Sequence, residues 1–414
     1  MDRAVIVAGA GPAGAVAART LAAAGIDTLL VDRAAFPRNK PCGGGISLRA
    51  LGRFPWLEQA LAGVDVHRIS RLHLEGPAGS SLDVTSAAPC VLLIRRIEFD
   101  HALVRAAVEA GARLEERFEI TQVEADAGGV TLKARDGRRL RAPMVIAADG
   151  VHSVIAKRLG VNARWPPASI AIDMMEETPA ETLRADRPDV LWVAYAYNGL
   201  DGYAYVFPKT RHVNVGIGCL LSHFRGQMPG QPYAMQQQFV GSLVDTRVLH
   251  GRSDRQHFTP FLIPVGGPLP SAHRGRVLFA GDAGGFVHAV TAEGIYYAMV
   301  SGELAAHAVT SNFEVRTSKF EVPSPIGRLY DRLWRREIGA ELADAVLIQR
   351  YLFAKHDRVE RVVRAGASAN GLMDMMLAYT RGELGYKALR RRMLWTFPMT
   401  VFRMVRERMR AAAI

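Results

Sequence analysis

A few short strings hold the residues of this chain that invite chemistry. Gly9-Ala-Gly11-Pro-Ala13-Gly14 has the spacing of a phosphate-binding turn. Gly9 permits the tight turn, Gly11 lets a pyrophosphate approach the backbone, and Gly14 lets the following helix pack close to its strand. Asp32, at the end of the next apolar run, is placed to accept hydrogen bonds from a ribose. Cys42 is followed by three glycines that leave its thiol exposed to whatever occupies the neighbouring space, although a free cysteine also serves as a small buried hydrophobe. In YAYVFP the period-two alternation puts Tyr203, Tyr205 and Phe207 on one face of a strand, and Pro208 ends it. Gly216 and Gly218 clear one face of the returning strand. The product is an aromatic wall beside an open slot for a long apolar chain, or else aromatics that fill a sheet core. No His/Cys/Asp/Glu cluster has metal-ligand spacing, so no metal is expected, and no GxSxG nucleophile elbow is present.

These residues need particular elements to position them. Residues 4–8 (AVIVA) and 28–31 (TLLV) read as strands buried on both faces, with a helix from Ala15 to Ala24 closed by Gly25 between them. This β-α-β unit places the glycines in its turn, and the helix N-terminus faces the phosphates with unpaired N–H groups. MVIAADG (144–150) is another buried strand, ending at Asp149-Gly150, and VLFA (277–280) is a third, ending at Gly281-Asp282. A helix runs from about Gly294 to Val309. Residues 161–269, rich in Tyr, Trp, Val and Pro, alternate like an antiparallel sheet. The expected fold is therefore a Rossmann-type α/β domain, discontinuous over 1–65, 91–160 and 270–320. An α+β substrate domain is inserted at 66–90 and 161–269, and a basic helical region covers 321–414.

The formal charge is +12, from 52 basic and 40 acidic residues among the 414. The excess gathers at the end: from Lys387 to Ile414 eight basic residues stand against Glu407 alone, interleaved with Trp395, Phe397, Phe402 and several methionines. That mixture reads as an interfacial anchor on anionic lipid, or as a solvated basic face on packed helices. No nucleic-acid recognition motif accompanies it. Three cysteines imply no disulfide framework, no secretion signal opens the chain, and no run is apolar enough to span a membrane. A cytoplasmic protein, peripheral at the inner face of the cell membrane, is the expectation.

The glycine fingerprint, Asp149-Gly150 and Gly281-Asp282, in this order, resemble the FAD-dependent family typified by para-hydroxybenzoate hydroxylase. Within it, three strings are similar to the geranylgeranyl reductases: KPCGGGIS (40–47), YAYVFPKTRHVNVGIG (203–218) and GDAGGFVHAVTAEGIYYAMVSG (281–302). Tyr205 stands where that family usually has Trp, and Ala292 replaces a glycine. The halogenase pattern W-x-W-x-I-P is absent.

The resemblance implies FAD held by Gly9, Gly11, Ala13, Gly14, Asp32, Arg33, Cys42, Gly43, Arg96, Asp149, Gly150, Gly281, Asp282, Gly294 and Ile295. Arg96 matches the family arginine better than Arg95. It implies a polyprenyl substrate, on a lipid or quinone, against Tyr203, Tyr205, Phe207, Pro208, Gly216 and Gly218. Candidate catalytic residues are Cys42, Tyr205 and His288, the last either a proton donor or a loop histidine with an ordinary hydrogen bond. With no second dinucleotide fingerprint, the electrons come from transiently bound NAD(P)H or from a reduced electron-transfer protein. The rival activities are aromatic hydroxylation on the same fold and non-catalytic, flavin-bound lipid binding.

Overall fold

A computed structural model describes residues 5–227, 231–314, 324–368 and 370–393. Its central sheet runs in the order His273–Arg274, Val277–Phe279, Met144–Ala147, Val5–Ala8, Thr28–Val31, Arg113–Glu115, parallel except at the 273–274 edge. Its strands are uniformly apolar because both faces are covered. Val5, Val7, Leu30 and Ile146 face the helices Pro12–Ala23, Arg96–Glu109 and Ile295–Glu314. Ile6, Ala8, Leu29 and Val145 point the other way, onto a three-stranded antiparallel layer that contributes Val130 and Leu132.

The second sheet has the order Phe258–Ile263, Ala171–Pro179, His212–Leu220, Gly202–Pro208, Val190–Tyr195, Arg71–Glu75, Ser81–Thr85. It departs from an antiparallel reading at one place, where Val190–Tyr195 runs parallel to Arg71–Glu75. Hydrogen bonding also moves the break expected at residue 66. Val66–Ile69 pairs with Val91–Ile94, and the second sheet takes over from Arg71.

The two faces of this sheet differ in kind. Trp192, Ala204, Val206, Val215 and Ile217 pack under the helix Pro232–Asp245 through Phe239, Val240 and Leu243. Leu191, Val193, Tyr203, Tyr205 and Phe207 face the other way, toward the nucleotide half.

The C-terminal helices Ala340–Phe353, His356–Ser368 and Asn370–Thr380 fold back over that second face. Phe353 and Val359 pack on Tyr195 and Ala196, and Leu377 and Met373 pack on Leu72 and Leu82. The basic anchor expected over 387–414 lies outside the described residues from 394 onward. In the described part Leu389 is buried and Arg390 pairs with Asp344 at 2.6 Å. No described helix is long and apolar enough to cross a membrane.

Glu176, on the strand Ala171–Pro179, is wholly buried on the helix-covered side. One carboxylate oxygen accepts from Ser253 Oγ at 2.6 Å and the other has no hydrogen-bond partner among the described residues. Burial pushes its pKa up from 4.5 to about 7. The folded state therefore holds this proton more tightly than the unfolded chain, and the stability it represents is lost as pH rises from 4.5 through about 7. Glu176→Gln is expected to raise stability at about pH 8.5 by roughly 1–3 kcal/mol and to leave it nearly unchanged at about pH 4. Urea unfolding at the two pH values measures the difference.

Candidate active site

The nucleotide end is built by close packing around the first strand. A side chain at Gly14 would place its Cβ 1.8 Å from the carbonyl oxygen of Gly9, so only glycine lets the helix sit this near the turn. Gly9 itself has φ +98° and lies against the Ala148 carbonyl. On the open side, Gly11 has only the Arg38 guanidinium within reach, at 3.7 Å, ahead of the N-terminus of the helix Pro12–Ala23. Asp32 is held by the backbone N–H groups of Ala10 (2.8 Å) and Ala34 (2.9 Å), with Arg38 at 3.6 Å. A turn of this shape, open toward unpaired N–H groups, fits a pyrophosphate.

Around one cavity of about 1010 Å³ the fold gathers Gly9, Gly11, Ala13, Asp32, Arg33, Cys42, Gly43, Arg96, Asp149, Gly150, Gly281, Asp282, Gly294 and Ile295. Gly14 stays behind the wall, as its packing role requires. Arg96 is buried and chelated by Asp100 at 2.6 and 2.7 Å, whereas Arg95 turns away to Glu177 at 3.3 Å. Asp282 pairs with Lys40 at 3.5 Å. Asp149 is occupied in capping a helix, accepting from Ser153 Oγ at 2.6 Å and from the Ile155 N–H at 3.2 Å.

Next to the nucleotide end, the cysteine loop meets the aromatic wall. Cys42 Sγ accepts from the Gly44 N–H at 3.4 Å, and the Cys42 carbonyl accepts from Asn214 Nδ2 at 3.3 Å. A Cβ on Gly43 would stand 3.0 Å from the Phe207 ring. Tyr203, Tyr205 and Phe207 do share one face, with ring centroids 6.1 and 4.5 Å apart. Tyr203 donates to the Thr291 carbonyl at 2.7 Å, and Tyr205 donates to Asp173 Oδ2 at 3.1 Å.

The slot expected over Gly216 is not open. A Cβ there would lie 2.5 Å from Tyr205 Oη, so the missing side chain makes room for the tyrosine ring. Neither Gly216, Gly218 nor Pro208 lines the large cavity; Gly218 borders a second, small one. His288 does line the large cavity. Burial pushes its pKa down to about 4, and Nδ1 lies 3.0 Å from Thr291 Oγ1 and accepts from the Thr291 N–H at 3.3 Å. It is thus a neutral ring at neutral pH, with an ordinary loop hydrogen bond.

Two parts of the site escaped the sequence reading. The first is the far half of the cavity, where Leu72, Leu74, Leu191 and Val193 of the sheet face Leu352, Val359, Val363, Met373 and Leu377 of the C-terminal helices. Its mouth carries the exposed side chains of Val362 (51%), Met376 (38%) and Met393 (37%). The spacing of Val359, Val362, Val363 and Gly366 along one helix face was the available signal.

The second is Arg49, 8% exposed, which bonds Ser47 Oγ (3.0 Å), Tyr297 Oη (2.7 Å), Glu341 (3.1 Å), Glu293 (3.4 Å) and Tyr379. Burial works against its charge, but the carboxylates of Glu293 and Glu341 outweigh that and hold it protonated. Arg49→Met leaves those carboxylates without their cation. It is expected to cost about 3–5 kcal/mol in denaturant unfolding.

Known proteins place this geometry. The model of an FAD binding domain matches residues 2–222. The digeranylgeranylglycerophospholipid reductase of Methanocella arvoryzae is 30% identical over 371 residues, covering 82% of this chain and 88% of that protein. The menaquinone reductase of Mycobacterium tuberculosis is 29% identical over 329 residues, covering 74% and 76%. Among solved structures, a geranylgeranyl bacteriochlorophyll reductase-like protein from Thermoplasma acidophilum superposes with a TM-score of 0.79 at 20% identity, covering 97% of this chain and 98% of its own. The flavin-dependent brominase Bmp2 shares the fold at a TM-score of 0.71 and 17% identity, covering 92% and 94%. With its FAD-binding turn, its cysteine loop and its aromatic wall on that fold, the chain belongs to the geranylgeranyl reductase family of FAD-dependent oxidoreductases.

Proposed function

We propose that this protein saturates carbon–carbon double bonds of a polyprenyl chain carried by a lipid or a quinone. The observation that carries this reading is that one cavity is lined by the phosphate-binding turn, Cys42, the aromatic wall and a large set of aliphatic side chains. A small phenolic substrate, as a hydroxylase would take, has no use for that length of apolar wall. The names of the two reductases that resemble the chain, one acting on a digeranylgeranyl phospholipid and one on menaquinone, support a substrate of this class.

FAD fits the residues present. The unobstructed side of Gly11 and the helix behind it suit the pyrophosphate, Asp32 suits a ribose, and Lys40, Arg38 and Arg96 put positive charge along the same wall. When bound and reduced, FAD supplies a hydride. The protein's own part is to exclude water, to hold the chain in line and to deliver a proton. Leu191, Val193 and the helix side chains opposite them desolvate the chain and fix its depth. The faces of Tyr203 and Phe207 favour positive charge developing on the alkene carbons.

The electrons are delivered by NAD(P)H that binds transiently or by a reduced electron-transfer protein. Anaerobic incubation of the protein, FAD and a chemical reductant with a geranylgeranyl lipid is expected to add two mass units per double bond, read by mass spectrometry. Unchanged lipid, together with oxygen-dependent NAD(P)H consumption stimulated by a phenol, would favour a hydroxylase instead. Flavin reduction with no product of either kind would indicate a binding protein.

The exposed apolar rim at the tunnel mouth and the basic, aromatic composition of 394–414 support work at the cytoplasmic face of an anionic membrane, from which the chain enters the tunnel. Removing 394–414 is expected to weaken sedimentation with vesicles containing phosphatidylglycerol by about tenfold or more. Equal binding by the truncated protein ends the anchor reading.

A further inference from the structure

Reduction of an alkene consumes one proton for each hydride, so the site needs an acid beside the chain. The notable acid on the cavity face of the second sheet is Asp173. It is 6% exposed, it borders the large cavity, and its Oδ2 accepts from Tyr205 Oη at 3.1 Å. Its other oxygen, Oδ1, is buried with no partner among the described residues. The contact depends on backbone register: Asp173 stands across from Gly218, and Met175 from Gly216. The missing side chain at 216 lets the Tyr205 ring cross the intervening strand to reach the carboxyl.

Asp173 also borders the second cavity, of about 40 Å³, whose wall includes Asp201, Gly202, Gly218 and Gln349. That volume is enough for one or two water molecules. Asp201, on the wall of this cavity, is 32% exposed. Asp173 therefore borders both cavities, which share the wall formed by Tyr203, Tyr205 and Phe353.

We propose that Asp173 and Tyr205 form the proton source of the reduction: with Asp173 protonated the same contact runs from the carboxyl to Tyr205 Oη, which frees the hydroxyl proton of Tyr205 to pass to the alkene and be replaced from Asp173 in the same step. The inference rests on the reductase reading above. Reduced FAD, when bound, would supply the hydride for a C–H bond at one alkene carbon. The π electron pair takes the Tyr205 proton at the other, and the Tyr205 O–H bond that breaks is remade with the proton of Asp173. The alkene gains two electrons, which bound reduced FAD would supply, and the protein is left with one carboxylate that regains a proton before the next turnover.

Burial supports this division of labour. It pushes the phenol of Tyr205 well above its usual 10, so a bare phenolate is costly, and it pushes Asp173 up to about 7, so the carboxyl holds a proton to give. The titratable groups facing the pair are Tyr203 beside it on the same strand, Cys219 on the strand between, Cys42 on the cysteine loop and Asp201 across the small cavity. The helix Ala340–Phe353 presents the uncharged Gln349 and Phe353.

Two measurements test the proposal. In the flavin-free protein carrying Glu176→Gln, which removes the other buried carboxyl shifted to about 7, infrared titration is expected to show a protonated-carboxyl band that disappears around pH 7 and is missing once Asp173→Asn is added. In the holoenzyme, the single-turnover rate of polyprenyl reduction is expected to fall as pH rises through that same range. Asp173→Asn and Tyr205→Phe are each expected to lower it by about 10²–10⁴-fold, with the fall in pH removed by the first. Should Asp173→Asn fail to fold, Tyr205→Phe and the wild-type pH profile decide. If the wild type reduces the lipid but either folded variant keeps its rate within about threefold, the pair is not the proton source and the reductase reading stands. A wild-type protein that reduces no polyprenyl chain overturns both.

Discussion

A guanidinium taken out of water must be surrounded by partners, and in this protein Arg49 finds them on four separate segments. Ser47 lies on its own stretch of chain, Glu293 and Tyr297 around the start of the helix Ile295–Glu314, Glu341 on the first of the cavity-covering helices and Tyr379 on the last. The segment leading out of the cysteine loop, the loop that carries His288 and the helical cover are thereby tied to one charge. No partner can move far without leaving a buried carboxylate or the guanidinium unsatisfied. The helices that close the tunnel are held to the nucleotide half by that requirement as well as by the packing of Phe353, Val359 and Leu377.

The cavity follows from how the two sheets share the chain. The central sheet has both faces covered, so its strands end in turns that open toward ligand, at Gly9, Asp32, Asp149 and Gly281. The second sheet has one face closed by the helix Pro232–Asp245, and only its other face remains available. That face is aromatic near the cysteine loop and aliphatic farther out. Its chemistry grades from groups that stabilise charge to groups that only exclude water. A long apolar chain with one reacting double bond matches such a gradient.

How much of this was legible in advance varies by residue. The fingerprint glycines and Asp32 were readable because local backbone geometry imposes them, whereas Arg96 over Arg95 came only from the family resemblance. A β-α turn around a pyrophosphate needs small residues at particular offsets wherever it occurs. The common face of Tyr203, Tyr205 and Phe207 was readable from strand periodicity. The role of Gly216 was not, because period alone says which side a glycine clears and not what moves into the space. Asp173 gave no signal: a single aspartate in AIDMMEE looks like an exposed strand residue until a neighbouring tyrosine is seen to reach it. The C-terminal helices showed their charge more plainly than the apolar face of His356–Ser368, so their place over the tunnel was hidden.

The sequence by itself determined the nucleotide-binding framework and the family, since both reside in short contiguous strings whose spacing is dictated by backbone sterics. Tertiary structure decided the course of the cavity, the pairing of Asp173 with Tyr205 and the anchoring of the helical cover on Arg49. Each of these joins residues far apart along the chain, and each depends on strand register and on which buried group lacks a partner. Those quantities exist only once the segments are packed together.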